Sequence, residues 1–278
     1  VEVNQFILAD QVTNKIIEAL SKKRIIVDYK VFKHLVIRTN QKGEALITCV
    51  AQTEKFQGLK EIISILKSFD FVVGITVNIN RNPKIILGNK SITLYGENRI
   101  IERMNNIDIF IDDRSFFQIN LPVIELAYQL IKKEVSHGES IIDAYSGVGS
   151  IGFYLSDIAS KITMIESNPS SVERGKEIKE SYHLDHIEII LAQAEFEIQK
   201  HQADLLIVDP PRAGLLPELL ETINHSQFKK LIYLSCNAKT LARDLKALDD
   251  NYEIKSVHPI KMFFHTTSLE TLVILNKR

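Results

Sequence analysis

Hydrophobic and polar positions along the chain follow two rhythms. Up to about Asp113, short apolar runs alternate with two helical stretches. ADQVTNKIIEALSKK carries Ile16, Ile17 and Leu20 at helical spacing, and GLKEIISILKSF carries Leu59, Ile62, Ile63 and Leu66. Between them HLVIRT and EALITCVA are joined by NQKG, a hairpin signal because glycine supplies the positive φ of the turn. FVVGITVNI, KIILG, SITLYG and IDIFID follow as further strand candidates. This half is expected to be an α+β module built on an antiparallel sheet.

From about Phe116 the texture changes. A helix is expected around Pro122 to Lys133, and then SIIDA, KITMIE, IEIIL, DLLIVD and KLIYLS recur, each followed by a segment that can be helical. Such short runs suit strands buried on both faces, in parallel order with right-handed helical crossovers. The last two runs, YEIKSVHPI and LETLVILNK, have no helix between them and should close the sheet as a hairpin. The expected organisation is α/β: a smaller α+β domain over residues 1–113, then a Rossmann-like seven-stranded domain over residues 114–278. The charged turn Asp112 to Ser115 marks the boundary.

At 278 residues, 45% hydrophobic and 25% charged, the chain has material for one large or two ordinary domains. No apolar run approaches the roughly 20 residues of a membrane span, and no leader pattern opens the chain, so a soluble cytoplasmic protein is expected. Cys49 and Cys236 are the only cysteines; they form neither a disulfide framework nor a CxxC spacing, so no metal centre is expected. A formal charge of -1 gives no global attraction to a polyanion, so nucleic-acid binding would rest on local clusters such as Lys22, Lys23, Arg24 and Lys229, Lys230. Residue 1 is Val, which suggests a processed product or a piece of a longer chain. Nothing in the sequence demands an oligomer, and a monomer is expected.

Candidate chemistry gathers at the ends of the expected parallel strands. IIDAYSGVGSIG places Gly147, Gly149 and Gly152 where a chain leaves a strand and enters a helix, the setting of nucleotide-binding loops. A tight turn with no ligand would use the same glycines. Glu166 ends the next strand roughly 20 residues on, where a carboxylate can accept from ribose hydroxyls. The D-x-Y-S-G-x-G pattern departs from the pyrophosphate fingerprint and better fits an adenosine without phosphate, as in S-adenosylmethionine, with Asp143 favouring its cationic end. Asp143 as a turn cap and Glu166 as a solvated strand-end acid are the plainer readings.

DLLIVDPPRAG delivers Asp209 to the same edge, with two prolines stiffening the loop. Arg212 stands where amino-group methyltransferases carry a stacking aromatic, and suits an anion or phosphate. Arg212 and Arg243 are the expected substrate contacts. Cys236 ends the fifth strand in YLSCNAKTLARDL, beside a helix start that Asn237 can cap; a helix N-terminus would lower the thiol from its usual value of about 8.5. A thiolate beside a methyl-donor pocket suits addition to C6 of a pyrimidine, and Glu270 in FFHTTSLETLVIL is placed to remove the C5 hydrogen. A lone strand-end cysteine is nevertheless more often structural, and Cys49 reads as core.

FFQIN, DAYSGVGSIG, DPPRAG, YLSCNAKTLARDL and MFFHTTSLETL stand in the order seen in the RNA uridine-C5 methyltransferases, which make 5-methyluridine in tRNA and in large-subunit ribosomal RNA. The chain resembles that family across its catalytic half, and HLVIRT to VNIN is similar to the family's central, RNA-facing domain. The resemblance implies Cys236 as nucleophile, Glu270 as general base, and S-adenosylmethionine held by Gln118, Tyr145, Gly147, Glu166 and Asp209. It implies RNA as partner, 23S ribosomal RNA in preference to tRNA because FFQIN and DAYSG look more like the ribosomal branch. Many members add an N-terminal β-barrel and several an iron-sulfur cluster on four cysteines; this sequence has neither. Phe264 and Ser268 stand where the family more often has Pro and His. The rival readings are an amino-group methyltransferase acting through DPPR and a non-catalytic RNA-binding module. A NAD-dependent dehydrogenase fits the loop poorly.

Overall fold

The computed structural model describes residues 6–115, 117, 118, 120–263, 266 and 269–278. Two compact units emerge, Val1–Glu102 with Phe110–Ser115, and Arg103–Ile109 with Phe116–Arg278.

In the first unit Asp10 caps α1 (Gln11–Lys22) by accepting from the Thr13 N–H at 2.6 Å. β1 (Phe32–Thr39) and β2 (Ala45–Ala51) pair antiparallel across the expected hairpin, with Gly43 at φ 77°. α2 (Leu59–Leu66) leads to β3 (Val72–Ile79), and β4 (Lys90–Gly96) returns antiparallel to it. The helices bury Ile16, Leu59, Ile62 and Leu66 against Ile47, Cys49, Ile75 and Val77 of the sheet. A ribbon of β5 (Arg99–Met104) and β6 (Ile107–Asp112) follows, turned at Asn105 and Asn106, both at positive φ; its tip, Arg103–Ile109, is counted with the second unit.

Three expectations change here. The sheet, ordered β1-β2-β3-β4, is mixed rather than antiparallel, because α2 is a crossover that makes β2 and β3 parallel. The signal was present: every residue of ALITCVA is buried, the unbroken run of a central strand covered on both faces. KIILG is no strand; side-chain amides of Asn78 and Asn80 take up its backbone groups in place of a ladder partner. Arg99–Met104, which shows no clear alternation, is a strand paired through the Asn-Asn turn.

The second unit follows the expected alternation. After α3 (Leu121–Glu134) come β7 (Ser140–Ala144), α4 (Ser150–Tyr154), β8 (Lys161–Glu166), α5 (Pro169–Ser181), β9 (Ile187–Leu191) and α6 (Ala194–Glu197). β10 (Leu205–Val208), α7 (Pro217–His225), β11 (Lys230–Ser235), α8 (Ala238–Leu248), β12 (Tyr252–Ile260) and β13 (Glu270–Lys277) complete it. The sheet runs β12-β13-β11-β10-β7-β8-β9, parallel except where β13 inserts antiparallel between β11 and β12. Leu206, Val208, Leu231, Tyr233 and Val273 belong to one buried core beneath it. Strand order reverses between β7 and β10, so their carboxyl ends flank the crevice where open parallel sheets bind ligands. At the opposite edge Asp204 accepts from Ser140 and pairs with Lys229 at 2.7 Å, tying the amino ends of β7, β10 and β11 together. Among the described residues no helix is long and apolar enough to cross a membrane.

Candidate active site

The chain leaves β7 through a loop that L-residues rarely form. Tyr145, Gly147 and Gly149 have φ of 60°, 58° and 91°. Glycine adopts such angles freely, whereas Tyr145 must be held there. Its hydroxyl donates to Glu195 Oε1 at 2.7 Å, and the Gly147 N–H donates to Glu166 Oε2 at 2.9 Å. Glu166 Oε1 accepts the Asn168 N–H at 2.6 Å, so this strand-end acid already shapes two turns. Beneath the loop Asp143 is entirely buried, and its Oδ2 accepts the Gly152 N–H at 2.9 Å. Burial, then the nearby Glu166 charge, pushes its carboxyl up to about 7. Asp143 therefore braces the turn from beneath, as the plainer of its two expected readings has it, while its Oδ1 has no hydrogen-bond partner among the described residues.

That cavity has a volume of about 770 Å³, within the roughly 300–1,000 Å³ of ligand sites. Of the residues expected from sequence, Gln118, Tyr145, Gly147, Glu166, Asp209, Arg212, Cys236 and Glu270 all line it. Asp209 is pushed up to about 8 by withdrawal from water and by the Glu270 and Asp143 charges, against a hydrogen bond from Gln118. Burial also raises Glu270, which Arg212 opposes. Cys236 departs from expectation in sign: burial and the Glu270 and Asp209 carboxylates push its thiol up, with Arg212 pulling the other way. The Asn237 cap accepts from the Lys239 N–H at 3.1 Å and α8 starts only at Ala238, so desolvation and two carboxylates outweigh the helix end. Cys49 is buried in the other unit, its thiol pushed up to about 12, as a core residue should be.

Crevices of this kind at the carboxyl edge of a parallel sheet hold many different nucleotide-like ligands. The family model described as tRNA (Uracil-5-)-methyltransferase matches residues 1–278. The chain belongs to that family. A protein of Fusobacterium nucleatum named as an uncharacterized RNA methyltransferase is 30% identical over all of this chain and 64% of its own length. One of Bacillus cereus, named likewise, is 34% identical over 88% of this chain and 56% of its own. The chain thus spans about six-tenths of the length of these relatives. The crystal structure of Pyrococcus abyssi tRNA (uracil-54, C5)-methyltransferase in complex with S-adenosyl-L-homocysteine superimposes with a TM-score of 0.82 at 28% identity, covering 99% of this chain and 70% of that one. The M. jannaschii tRNA m1G37 methyltransferase, at TM-score 0.57 and 17% identity over 89% of this chain and 73% of its own, shares the fold.

Within this family member, the Asp209-to-Leu215 loop is clamped from α8. Asn237 Nδ2 and Thr240 Oγ1 donate to the Arg212 carbonyl at 3.0 and 3.3 Å, and Arg243 donates to the Ala213 and Leu215 carbonyls at 3.0 and 3.1 Å. Asp244, with no exposed surface, accepts from the Leu215 N–H at 2.9 Å, from Tyr233 Oη at 2.7 Å and from Arg243 Nε at 2.8 Å. Arg243, expected as a substrate contact, does not line the cavity: its guanidinium is engaged in holding the loop that carries Arg212. Because α8 begins two residues after Cys236, the clamp fixes the thiol and the Asp209–Arg212 segment as one piece.

Sequence reasoning passed over three groups. Glu195 lines the cavity and holds Tyr145; its signal was position, since it follows β9 as Glu166 ends β8. Ser146 and Ser171 line the cavity with buried hydroxyls that have no hydrogen-bond partner among the described residues. No spacing rule singles them out. The departures at Phe264 and Ser268, and parts of FFQIN and MFFHTTSLETL, lie outside the described residues.

Proposed function

We propose that the chain transfers a methyl group from S-adenosylmethionine to C5 of a uridine in RNA, in the cytoplasm, through a covalent adduct on Cys236. The observation that carries this reading is the meeting of Cys236, Glu270, Asp209 and Arg212 on one cavity at the carboxyl edge of the sheet. Other groups of the lining suit the cofactor: Ser146 and Ser171 offer hydroxyls unpartnered among the described residues, Tyr145 an aromatic face, Glu166 a carboxylate and Gln118 an amide, a donor and acceptor set matched to a nucleoside with an amino acid tail. Residues Gln118, Tyr145, Gly147, Glu166 and Asp209 would hold it. When bound, S-adenosylmethionine supplies an electrophilic methyl carbon.

The chain's own groups do the rest. Cys236 loses its proton to water, and the thiolate forms a bond to C6 of the uracil ring while the C5–C6 pair shifts to C5 and the C4 oxygen. C5 would thereby become the nucleophile toward the methyl carbon that bound S-adenosylmethionine supplies, with the S–CH3 bonding pair left on the sulfur of S-adenosylhomocysteine. Glu270 removes the remaining C5 hydrogen, the C5–C6 double bond re-forms, and the sulfur leaves as thiolate. Arg212 faces both Cys236 and Glu270 and favours their ionised forms. The target base must leave its stack to reach this cavity.

FFQIN and DAYSG favour ribosomal RNA as substrate; the tRNA (uracil-54, C5)-methyltransferase among the structural neighbours favours tRNA as a second reading. Both are tested together by incubating the chain with labelled methyl donor and unmodified 23S rRNA or tRNA transcripts. The label is expected at C5 of uridine, absent with Cys236→Ser, while Glu270→Gln accumulates a protein–RNA adduct that survives denaturing electrophoresis. Undiminished transfer by Cys236→Ser would refute the covalent route.

A further inference from the structure

One acid of the cavity wall stands without a cation. The short helix α6 carries two lone-standing carboxylates in sequence, but Glu197 is neutralised by Lys200 at 2.7 Å and by His201 at 3.1 Å, whereas Glu195 has no ion pair among the described residues. What Glu195 does hold is Tyr145, whose hydroxyl donates to Oε1 at 2.7 Å. A charged acceptor makes that bond a strong one. Burial, then Glu195 itself, keeps the hydroxyl well above its usual range, so it stays protonated and donates.

Tyr145 needs such an anchor. It leaves β7 at φ 60°, where an L-residue is strained, in a loop whose other positive angles fall on Gly147 and Gly149. Its half-buried ring packs against the core beneath the sheet and lines the cavity. The Asp244 charge also reaches the hydroxyl, but the Asp244 oxygens are taken: Oδ2 by the Leu215 N–H and Tyr233 Oη, Oδ1 by Arg243 Nε. Glu195 is the acceptor left. Its backbone is fixed as well, because the Ala192 N–H donates to the Glu166 carbonyl at 3.0 Å, the Phe196 and Glu197 N–H groups donate to the Gln193 carbonyl at 3.2 Å, and Ala194 is buried between them.

We infer that Glu195 is a positioning residue for the cofactor: it acts through Tyr145, holding the ring in the cavity wall before S-adenosylmethionine arrives, so that binding does not have to order it. The inference rests on Tyr145 as part of the S-adenosylmethionine site, and its test does not use methyl transfer. Affinity for S-adenosylhomocysteine is measured by calorimetry on the whole chain, after thermal melting shows each variant folded. Glu195→Ala should weaken it about 5-fold, within the range that ordering one side chain commands. Glu195→Gln, which still offers an oxygen to the hydroxyl, should recover most of that loss. Tyr145→Phe keeps the ring and removes the donor, so it should match Glu195→Ala, and the double variant should bind no more weakly than either single one, because both break the same contact. The ligand-free protein supplies a second readout. The chain has no tryptophan, so tyrosine dominates its near-ultraviolet circular dichroism, and this band should fall in Glu195→Ala with the far-ultraviolet spectrum unchanged.

Wild-type affinity in Glu195→Ala, or losses that add in the double variant, would overturn the inference and leave methyl transfer to uridine untouched. Equal losses in Glu195→Gln and Glu195→Ala would overturn it too, since the charge and not the hydrogen bond would then matter. The expected pattern in a chain that transfers no methyl group to uridine would leave the positioning role standing and remove the catalytic reading.

Discussion

Two loops at one edge of the same sheet reach their shapes by opposite means. The loop after β7 is held by local backbone conformation: positive φ at Tyr145, Gly147 and Gly149, a single bond from Asp143 below, and Glu166 across the next turn. The loop after β10 is stiffened by Pro210 and Pro211 and then clamped by four side chains of one remote stretch, Asn237, Thr240, Arg243 and Asp244. The first presents backbone, hydroxyl and aromatic groups that suit binding. The second presents Asp209 and Arg212, charges whose placement relative to Cys236 decides reactivity. A binding loop tolerates modest breathing; a loop that aims charges at a thiol does not, since misplacement by about 1 Å can cost on the order of 100-fold in rate.

Breaking the clamp should have the largest effect. Asp244→Ala strands the Leu215 N–H and the Tyr233 hydroxyl in the core and removes the buried partner of Arg243, so unfolding in urea is expected to show a loss of about 3–5 kcal/mol. A loss below about 1 kcal/mol would mean that the loop does not depend on this carboxylate. Arg243→Lys keeps the charge but loses the forked geometry. Its kcat should fall about 10-fold or more with the KM for RNA nearly unchanged, because the residue acts through the loop. A raised KM with intact kcat would instead make Arg243 a substrate contact, as expected from sequence.

The glycine loop should respond in the other sense. Ser171→Ala removes a hydroxyl that has no partner among the described residues, so stability should be unchanged while affinity for S-adenosylhomocysteine in calorimetry weakens by about 1 kcal/mol, roughly 5-fold. Unchanged affinity with lowered stability would make Ser171 a packing residue. Smaller still are the electrostatic effects around Cys236. Its alkylation by iodoacetamide needs the thiolate, and the thiol lies above its ordinary range, so the rate should climb as pH rises from neutral into the alkaline range. Glu270→Gln removes a charge that raises the thiol and should speed alkylation at fixed pH; Arg212→Gln removes one that lowers it and should slow alkylation. The reverse order would break the electrostatic account.

The least effect is expected at the far edge. Lys229→Gln breaks a largely exposed pair, so the urea-unfolding midpoint near neutral pH should barely move. The Lys229 ammonium and Ser140 hold Asp204 below the usual carboxylate range. Its contribution is therefore present above the unfolded value of about 4 and lost as pH falls below it. A midpoint of acid unfolding that does not move in Lys229→Gln would remove this contact from the account.

The alternation of apolar runs from Ser140 to Lys277, the glycines after β7 and the acids at strand ends are local patterns, and local patterns are written in neighbouring residues. For that reason the sequence alone determined the parallel sheet, its terminal hairpin and the position of Glu166, Asp209, Cys236 and Glu270 at strand ends or beside them. It did not determine what those ends face. That Arg243 holds a loop 30 residues away, that the Cys236 thiol is raised rather than lowered, that Asp143 lies beneath its turn, and that Asn78 and Asn80 turn KIILG from a strand into an exposed loop were all decided by tertiary structure. The physical reason is common to them: periodicity fixes which face a residue takes, whereas hydrogen-bond partners, burial and nearby charge depend on segments that only folding brings together.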